Sequence, residues 1–139
     1  MYDIDRIGKI VVDIISYLNE LKSYQINQLS DLDDRIRYHA SSMVIFATLN
    51  KVIDLGTEII SSEELGAPNT YQDIMPLLAK ANVINSKQAD DLNEIIRKRN
   101  VLAHFYDEIK KKDLFRLIRD MSLISDFVKI VKSRVKIRG

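Results

Sequence analysis

Hydrophobic residues recur at intervals of three and four over most of the chain, which is the spacing that one buried face of an α-helix produces. This pattern predicts a first helix over residues 3–24. It also predicts a long second helix over about residues 31–64, capped by Ser30 with Asp33 and bent near Gly56. Neither segment contains proline, so both can stay helical over many turns.

Three further segments with helical spacing follow. They are a short one over about residues 70–81 and two longer ones over residues 87–104 and 113–135. No segment shows the strict alternation that a half-buried β-strand requires. The pattern therefore predicts an all-α fold, an up-and-down four-helix bundle with one extra short helix.

The composition fits one folded domain and narrows the chemistry it can support. The chain has 139 residues and is 46% hydrophobic, so we expect a single domain over 1–139 with a basic, frayed tail at 132–139. It has no cysteine and only two histidines, which excludes disulfides and argues against a structural zinc site. No leader peptide or membrane-spanning run is visible, so we expect a cytoplasmic protein.

The net charge of +1 conceals a strong polarity along the chain. Residues 1–94 carry 8 basic and 15 acidic residues, whereas residues 95–139 carry 13 basic and 5 acidic ones. A basic half of this kind can hold phosphates. It can equally be one of two complementary halves that pack on each other.

Most of the informative polar residues lie in the basic half, between Arg97 and Tyr106. On a helix of about 100° per residue, Arg99 falls in the middle of the apolar face, and Tyr106 falls two turns beyond it. Arg97, Asn100 and His104 form an adjacent stripe at spacings of three and four.

An arginine at the centre of an apolar face needs an explanation, because an unpaired buried charge costs several kcal/mol. One reading is an ion pair with a carboxylate of another helix, such as Asp33, Asp34 or Asp54. The other is an arginine that faces a cleft and binds a phosphate with its planar, forked group.

The residues around this arginine also have structural and functional readings. His104 could cap carbonyls at a helix end, or it could transfer protons, since imidazole titrates near neutral pH. Asn100, four residues earlier, could orient the imidazole by a hydrogen bond. Tyr106 could bind a base or a phosphate, or it could pack against the core.

The order of these residues resembles a known ribonuclease motif. Arg99, His104 and Tyr106 reproduce the R-x4-H-x-Y pattern of HEPN ribonucleases, with the polar Asn100 directly after the arginine. The Gly-x-Pro-x-x-Tyr segment that ends at Tyr71 resembles the HepT-like branch of that superfamily. The resemblance covers nearly the whole chain. It favours Arg99 over Arg97, which remains a secondary candidate.

This resemblance implies a homodimeric RNA-cutting toxin that works without a metal or a cofactor. It implies that the two motifs face each other across a shared cleft, with Arg99 and His104 as catalytic residues and Asn100, Tyr106 and Arg97 in support. It also implies a partner, an MntA-type minimal nucleotidyltransferase, which silences the toxin by adding AMP to Tyr106.

Three lysines near the motif, Lys98, Lys110 and Lys111, are predicted to contact the RNA backbone, although a lysine run is most often a solvated loop. An alternative function is a non-catalytic helical binding module. A related alternative is the substrate-binding subunit of a nucleotidyltransferase pair. The intact arginine, histidine and tyrosine favour the ribonuclease.

Overall fold

A computed structural model describes residues 1–105 and 108–136, which form helices and connecting turns without a β-strand. The helices, in chain order, are α1 (Ile4–Ser23), α2 (Arg35–Ser62), α3 (Ile74–Lys80), α4 (Ser86–Phe105) and α5 (Lys111–Val135). This order confirms the predicted all-α fold with four main helices and one short helix.

The long helix α2 is the centre of the bundle, because it packs against each of the other four helices. Leu49, Val52 and Leu55 are completely buried on it. Ile14 of α1 and Ile124 of α5 are also completely buried in the same core. The burial of aliphatic side chains from several helices in one cluster is the main source of stability in a bundle of this kind.

The predicted start of the second helix is wrong. α2 begins at Arg35, and the carboxylate of Asp34 caps it by accepting hydrogen bonds from the first backbone amides of the helix. The preceding residues, Leu29–Asp33, form a separate 3₁₀ turn, in which Leu32 is completely buried. The burial of Leu32 fixes this turn against the core and leaves Asp34 in the extended conformation that a cap requires.

The second helix continues through Gly56, and the neighbouring helix α3 comes very close to α2 at this position. A Cβ atom on Gly56 would lie 2.4 Å from a side-chain methyl carbon of Ile74. Thr70 and Asp73 cap the 3₁₀ turn before α3 by reciprocal hydrogen bonds, as the sequence indicates. Gly56 thus determines how close this turn, which contains Tyr71, lies to α2.

Two contacts hold the chain directly before α5 and at its first residue. The hydroxyl of Tyr38, which is 2% exposed, donates a hydrogen bond of 2.5 Å to the carbonyl oxygen of Ile109. The ammonium group of Lys111 donates to Asp33 at 2.8 Å. The end of the connector after α4 is therefore attached to the beginning of α2 and to the turn before it.

A polar cluster ties both ends of the described chain to the end of α2. The Glu63 carboxylate accepts hydrogen bonds from Nε and Nη2 of Arg134, at 2.6 and 2.5 Å, and from the hydroxyl of Tyr2 at 2.5 Å. The hydrogen bonds from Arg134 hold the pKa of Glu63 below its usual range. Burial, followed by the nearby Glu63, raises the pKa of Tyr2.

Because the folded state lowers the Glu63 pKa, the contribution of this carboxylate to stability is complete at neutral pH and is lost as the pH falls through the folded-state value. We expect Glu63→Gln to reduce the free energy of unfolding at pH 7 by about 2 kcal/mol. The difference in the free energy of unfolding between the variant and the parent should shrink as the pH approaches about 4. Urea denaturation across this pH range measures both effects. Glu64→Gln, at an exposed neighbour, is the matched control, and an equal loss in that variant would contradict the account.

Candidate active site

Arg99 lies on α4 and is held by side chains from three parts of the fold. Its Nε donates a hydrogen bond of 2.6 Å to the amide oxygen of Asn50 on α2, and its Nη1 makes a longer one, 3.4 Å, to Asn100. Its Cζ lies 5.7 Å from the ring centre of Phe46 on α2 and 5.8 Å from that of Tyr71 in the turn before α3. Both rings are within range of a cation–π interaction.

None of these groups carries a negative charge. Over the described ranges, no carboxylate lies within 4.0 Å of the Arg99 nitrogens, and two of the proposed partners are engaged elsewhere. Asp33 pairs with Lys111, and Asp34 pairs with Arg37. Asp54 is exposed and forms no ion pair with Arg99. The guanidinium is therefore fixed in place without being neutralised.

The direction of α2 and α4 places His104 toward the beginning of α2. Arg99 contacts Asn50, whereas Ile109, beyond the end of α4, contacts Tyr38. The two helices therefore run in opposite directions, and the last turn of α4, which carries His104, lies on the side of Asn50 that leads back toward Tyr38.

The exposed side of α4 carries the other predicted polar residues. Arg97, Asn100 and His104 are all exposed, and their spacing of three and four places them on one stripe. Asn100 contacts Arg99 directly and so links this stripe to the guanidinium. Tyr106 lies outside the described residues, so its place in the site stays a prediction from the sequence.

The three predicted RNA-binding lysines lie in different surroundings. Lys110 is exposed directly before α5, and Lys111 forms the ion pair with Asp33. Lys98 lines a groove between α4 and α5. The groove also contains one further cation and four carboxylates, which are Arg116, Asp91, Glu94, Asp113 and Asp120.

The groove around Lys98 is electrostatically unlike the surroundings of Arg99. Burial raises the pKa of Asp120, and the carboxylates of Glu94 and Asp91 raise it further, against the opposing effect of Arg116. A lysine among carboxylates attracts a phosphate less strongly than an unneutralised arginine does, because the neighbouring charges repel the phosphate. Of these two basic residues, Arg99 is therefore the better placed to bind a phosphate.

Three residues that hold the arginine could not be predicted from the sequence. Phe46 and Asn50 are one turn apart on α2, where they were part of a long helical pattern. Tyr71 was noted only as the end of the Gly-x-Pro-x-x-Tyr segment. Helical spacing describes one helix at a time, so it cannot show that Asn50 and Arg99, 49 residues apart, are in contact.

The family model described as "Ribonuclease HepT-like" matches residues 14–133 of the chain. The chain belongs to the HepT-like ribonuclease family. Its relatives include YutE of Bacillus subtilis, described as a candidate RNase, at 26% identity over 134 residues, which cover 96% of this chain and 91% of YutE. They also include the mRNA nuclease HepT of Shewanella oneidensis, at 26% identity over 82 residues, which cover 58% of this chain and 62% of that protein.

Solved structures of HepT-like proteins have the same fold. YutE of Bacillus subtilis, described there as a cytosolic protein of unknown function, superposes with a TM-score of 0.83 at 24% identity, covering 98% of this chain and 94% of YutE. The tri-AMPylated HEPN toxin of Shewanella oneidensis, solved in complex with its MNT antitoxin, superposes with a TM-score of 0.84 at 20% identity. That match covers 96% of this chain and 99% of the toxin.

Two features are absent from the described residues. These residues contain no helix that is long and apolar enough to cross a membrane. They also contain no cluster of three or more histidine, cysteine or acidic side chains arranged to hold a metal ion.

Proposed function

We propose that this member of the HepT-like family is a metal-independent endoribonuclease toxin that acts on RNA in the cytoplasm. The observation that carries the proposal is the Arg99 guanidinium, which neutral groups hold in place and which forms no ion pair within the described part of the chain. Membership of a ribonuclease family supports the RNA substrate, and the description of YutE as cytosolic supports the location.

RNA carries its own nucleophile, so the protein has to move protons and stabilise charge. The 2′-oxygen attacks the adjacent phosphorus, the bond to the 5′-oxygen breaks, and the products are a 2′,3′-cyclic phosphate and a 5′-hydroxyl end. His104 of one or both subunits accepts the 2′-hydroxyl proton and returns a proton to the departing 5′-oxygen. Arg99 stabilises the negative charge that accumulates on the phosphate oxygens.

The exposed polar residues around this pair are assigned supporting roles. Asn100 contacts Arg99 in the RNA-free protein, and Arg97 lies on the same stripe as His104 and can contact a neighbouring phosphate. Lys98 and Lys110 are exposed and available for contacts to the RNA backbone further along the strand. Lys111 can join them only by giving up its ion pair with Asp33.

A second copy of the chain would complete the site, since two proton transfers are easiest with two imidazoles. The two helices that carry the site expose large apolar side chains: Ile36 and Met43, 80% and 54% exposed, form an apolar surface on α2, and Val101, 36% exposed, lies on α4. Ile36 and Met43 are seven residues apart, so they lie on the same side of α2. Burial of this surface against a second copy gives a two-fold dimer with both motifs at one cleft.

The proposal includes control by a partner nucleotidyltransferase of the MntA type, which adds AMP to Tyr106. Support comes from the Shewanella oneidensis HEPN toxin, a fold relative that was solved in a tri-AMPylated form with its MNT antitoxin. Tyr106 is two residues beyond His104 in the sequence. The phosphate of each added AMP brings negative charge and bulk to this end of the motif, which would repel RNA phosphates.

The catalytic assignment is tested with purified protein and an end-labelled RNA in the presence of EDTA. His104→Ala and Arg99→Ala should each lower the cleavage rate at least about 100-fold. The first variant removes proton transfer, and the second removes charge stabilisation. A 2′-deoxy nucleotide at the cut site should block cleavage there. Lys87→Ala, which removes an exposed cation from the far end of α4, should cleave like the parent. Cleavage that stops in EDTA, or an unimpaired His104→Ala protein, would contradict the assignment.

The dimer is tested by a charge placed on the apolar surface. Met43→Glu should convert the dimer into a monomer, since a buried unpaired carboxylate is costly. It should also lower the rate of RNA cleavage about 100-fold, as His104→Ala does. Val12→Glu is the matched control, because Val12 is also an exposed apolar helix residue, 64% exposed, but lies on α1. Sedimentation equilibrium gives the mass. A parent protein that is monomeric and active would refute the shared site.

The modification is tested by intact mass of the chain after co-expression with the nucleotidyltransferase. We expect the mass to rise in AMP-sized steps, and Tyr106→Phe to abolish the increase because the accepting hydroxyl is gone. Tyr24→Phe, which removes a hydroxyl that bonds to Glu20, should still be modified. An increase that persists in the Tyr106→Phe protein would assign the modification to another residue.

A further inference from the structure

We propose that Asn50 is a positioning residue for Arg99, and that its neutral amide allows the guanidinium to be held rigidly while its positive charge is kept for the RNA phosphate. This inference rests on the proposed function, because it takes the bound phosphate to be that of an RNA strand. It adds to the site a residue of α2 that lies outside the sequence motif.

The geometry of the contact is suited to holding the Arg99 side chain in one position. The 2.6 Å hydrogen bond joins two side chains that are both partly buried, on two helices that each pack into the core. Asn50 lies in the middle of α2, the most widely packed helix, so its position is fixed by the core. A rigid acceptor restricts the rotation of a long arginine side chain, which is otherwise costly to order.

The atoms involved leave one edge of the guanidinium available for a substrate. Asn50 binds Nε, whereas a phosphate can bind end-on to Nη1 and Nη2 with two parallel hydrogen bonds. The contact between Nη1 and Asn100 is 3.4 Å long and lies at the exposed surface. A phosphate oxygen can therefore replace Asn100 at Nη1 without disturbing the anchor at Nε.

A comparison with Arg134 shows why the acceptor is an amide. Arg134 makes two short hydrogen bonds to the Glu63 carboxylate, so its charge is neutralised and its role is to join helices. Arg99 has an acceptor at a similar distance, but the acceptor carries no charge. A carboxylate at this place would repel an incoming phosphate and weaken its attraction to the arginine.

The two aromatic rings act in the same direction. Phe46 and Tyr71 lie within 6 Å of Arg99 Cζ, where ring faces attract a cation without neutralising it. Phe46 is one turn from Asn50, so α2 supplies both the acceptor and one ring. The environment is therefore consistent with a cation that is stabilised but not paired.

Asn50→Asp is the decisive variant, because it keeps the shape of the side chain and strengthens the contact but neutralises Arg99. We expect the variant to unfold at the same or a higher temperature than the parent. Its affinity for a non-cleavable 2′-O-methyl oligoribonucleotide should fall about tenfold. The slope of log affinity against log salt should fall by about 0.7, the value for one lost phosphate contact on a single strand. Asn19→Asp, at an exposed site on α1, is the matched charge control and should bind like the parent.

Asn50→Leu separates the positioning of Arg99 from the neutrality of its acceptor. This variant loses the anchor but leaves the arginine charged, so kcat for RNA cleavage should fall while the salt slope stays near that of the parent. A purely structural Asn50 predicts the reverse, with Asn50→Leu destabilised and Asn50→Asp binding and cutting RNA normally, and that result would overturn the inference. Because oligonucleotide binding does not require cleavage, a parent that binds but does not cut RNA would refute the proposed function alone.

Discussion

The hydrogen bond between Arg99 Nε and the amide oxygen of Asn50 is the contact on which the site depends. It crosses from α4 to α2 and fixes a cationic side chain that the apolar face of α4 would otherwise have to exclude. Because the acceptor is neutral, the contact orients the guanidinium without neutralising its charge. In the proposed function, that charge is the one that meets the RNA phosphate.

The rest of the fold supports this contact from both sides. Gly56 allows α3 to approach α2, which brings the turn with Tyr71 to the guanidinium. The bond from Tyr38 to Ile109 fixes the chain beyond the other end of the motif. Charges that serve only the fold are treated differently, since Glu63 and Arg134 neutralise each other at the end of the bundle. Among the residues that the structure describes, the paired charges of Glu63 and Arg134 thus contrast with Arg99, whose contacts are to neutral groups.

The helices were predictable because each is specified by its own residues. The apolar stripe of α1 and the capping box of Thr70 and Asp73 are local signals, and both were predicted correctly from the sequence. The beginning of α2 was not predictable in this way, because the burial of Leu32 holds residues 29–33 in a separate 3₁₀ turn and moves the cap from the predicted Ser30 to Asp34. The resemblance of the motif around Arg99 identified the family, which the family model confirms.

What the sequence could not supply was the environment of Arg99. The sequence pattern allowed Arg99 either to form an ion pair or to bind a phosphate. The choice depends on whether a distant carboxylate or a distant neutral group contacts the guanidinium. Asn50 has no distinguishing spacing in a long helix, so only the packing of α2 on α4 reveals it. The acidic and basic parts of the chain are likewise joined by specific ion pairs, such as Asp33 with Lys111. Counting charges along the sequence could not predict which residues form them.

The central claim is most directly tested by the ¹⁵N NMR signal of the Arg99 Nε–H group during titration with a non-cleavable oligoribonucleotide. The account predicts that this signal, assigned by its loss in Arg99→Lys, exchanges slowly with water in the free protein because Asn50 accepts its hydrogen bond. It also predicts that the signal shifts when RNA binds and stays protected. A signal that does not move while RNA is bound would contradict the account, because it would mean that the phosphate is held elsewhere.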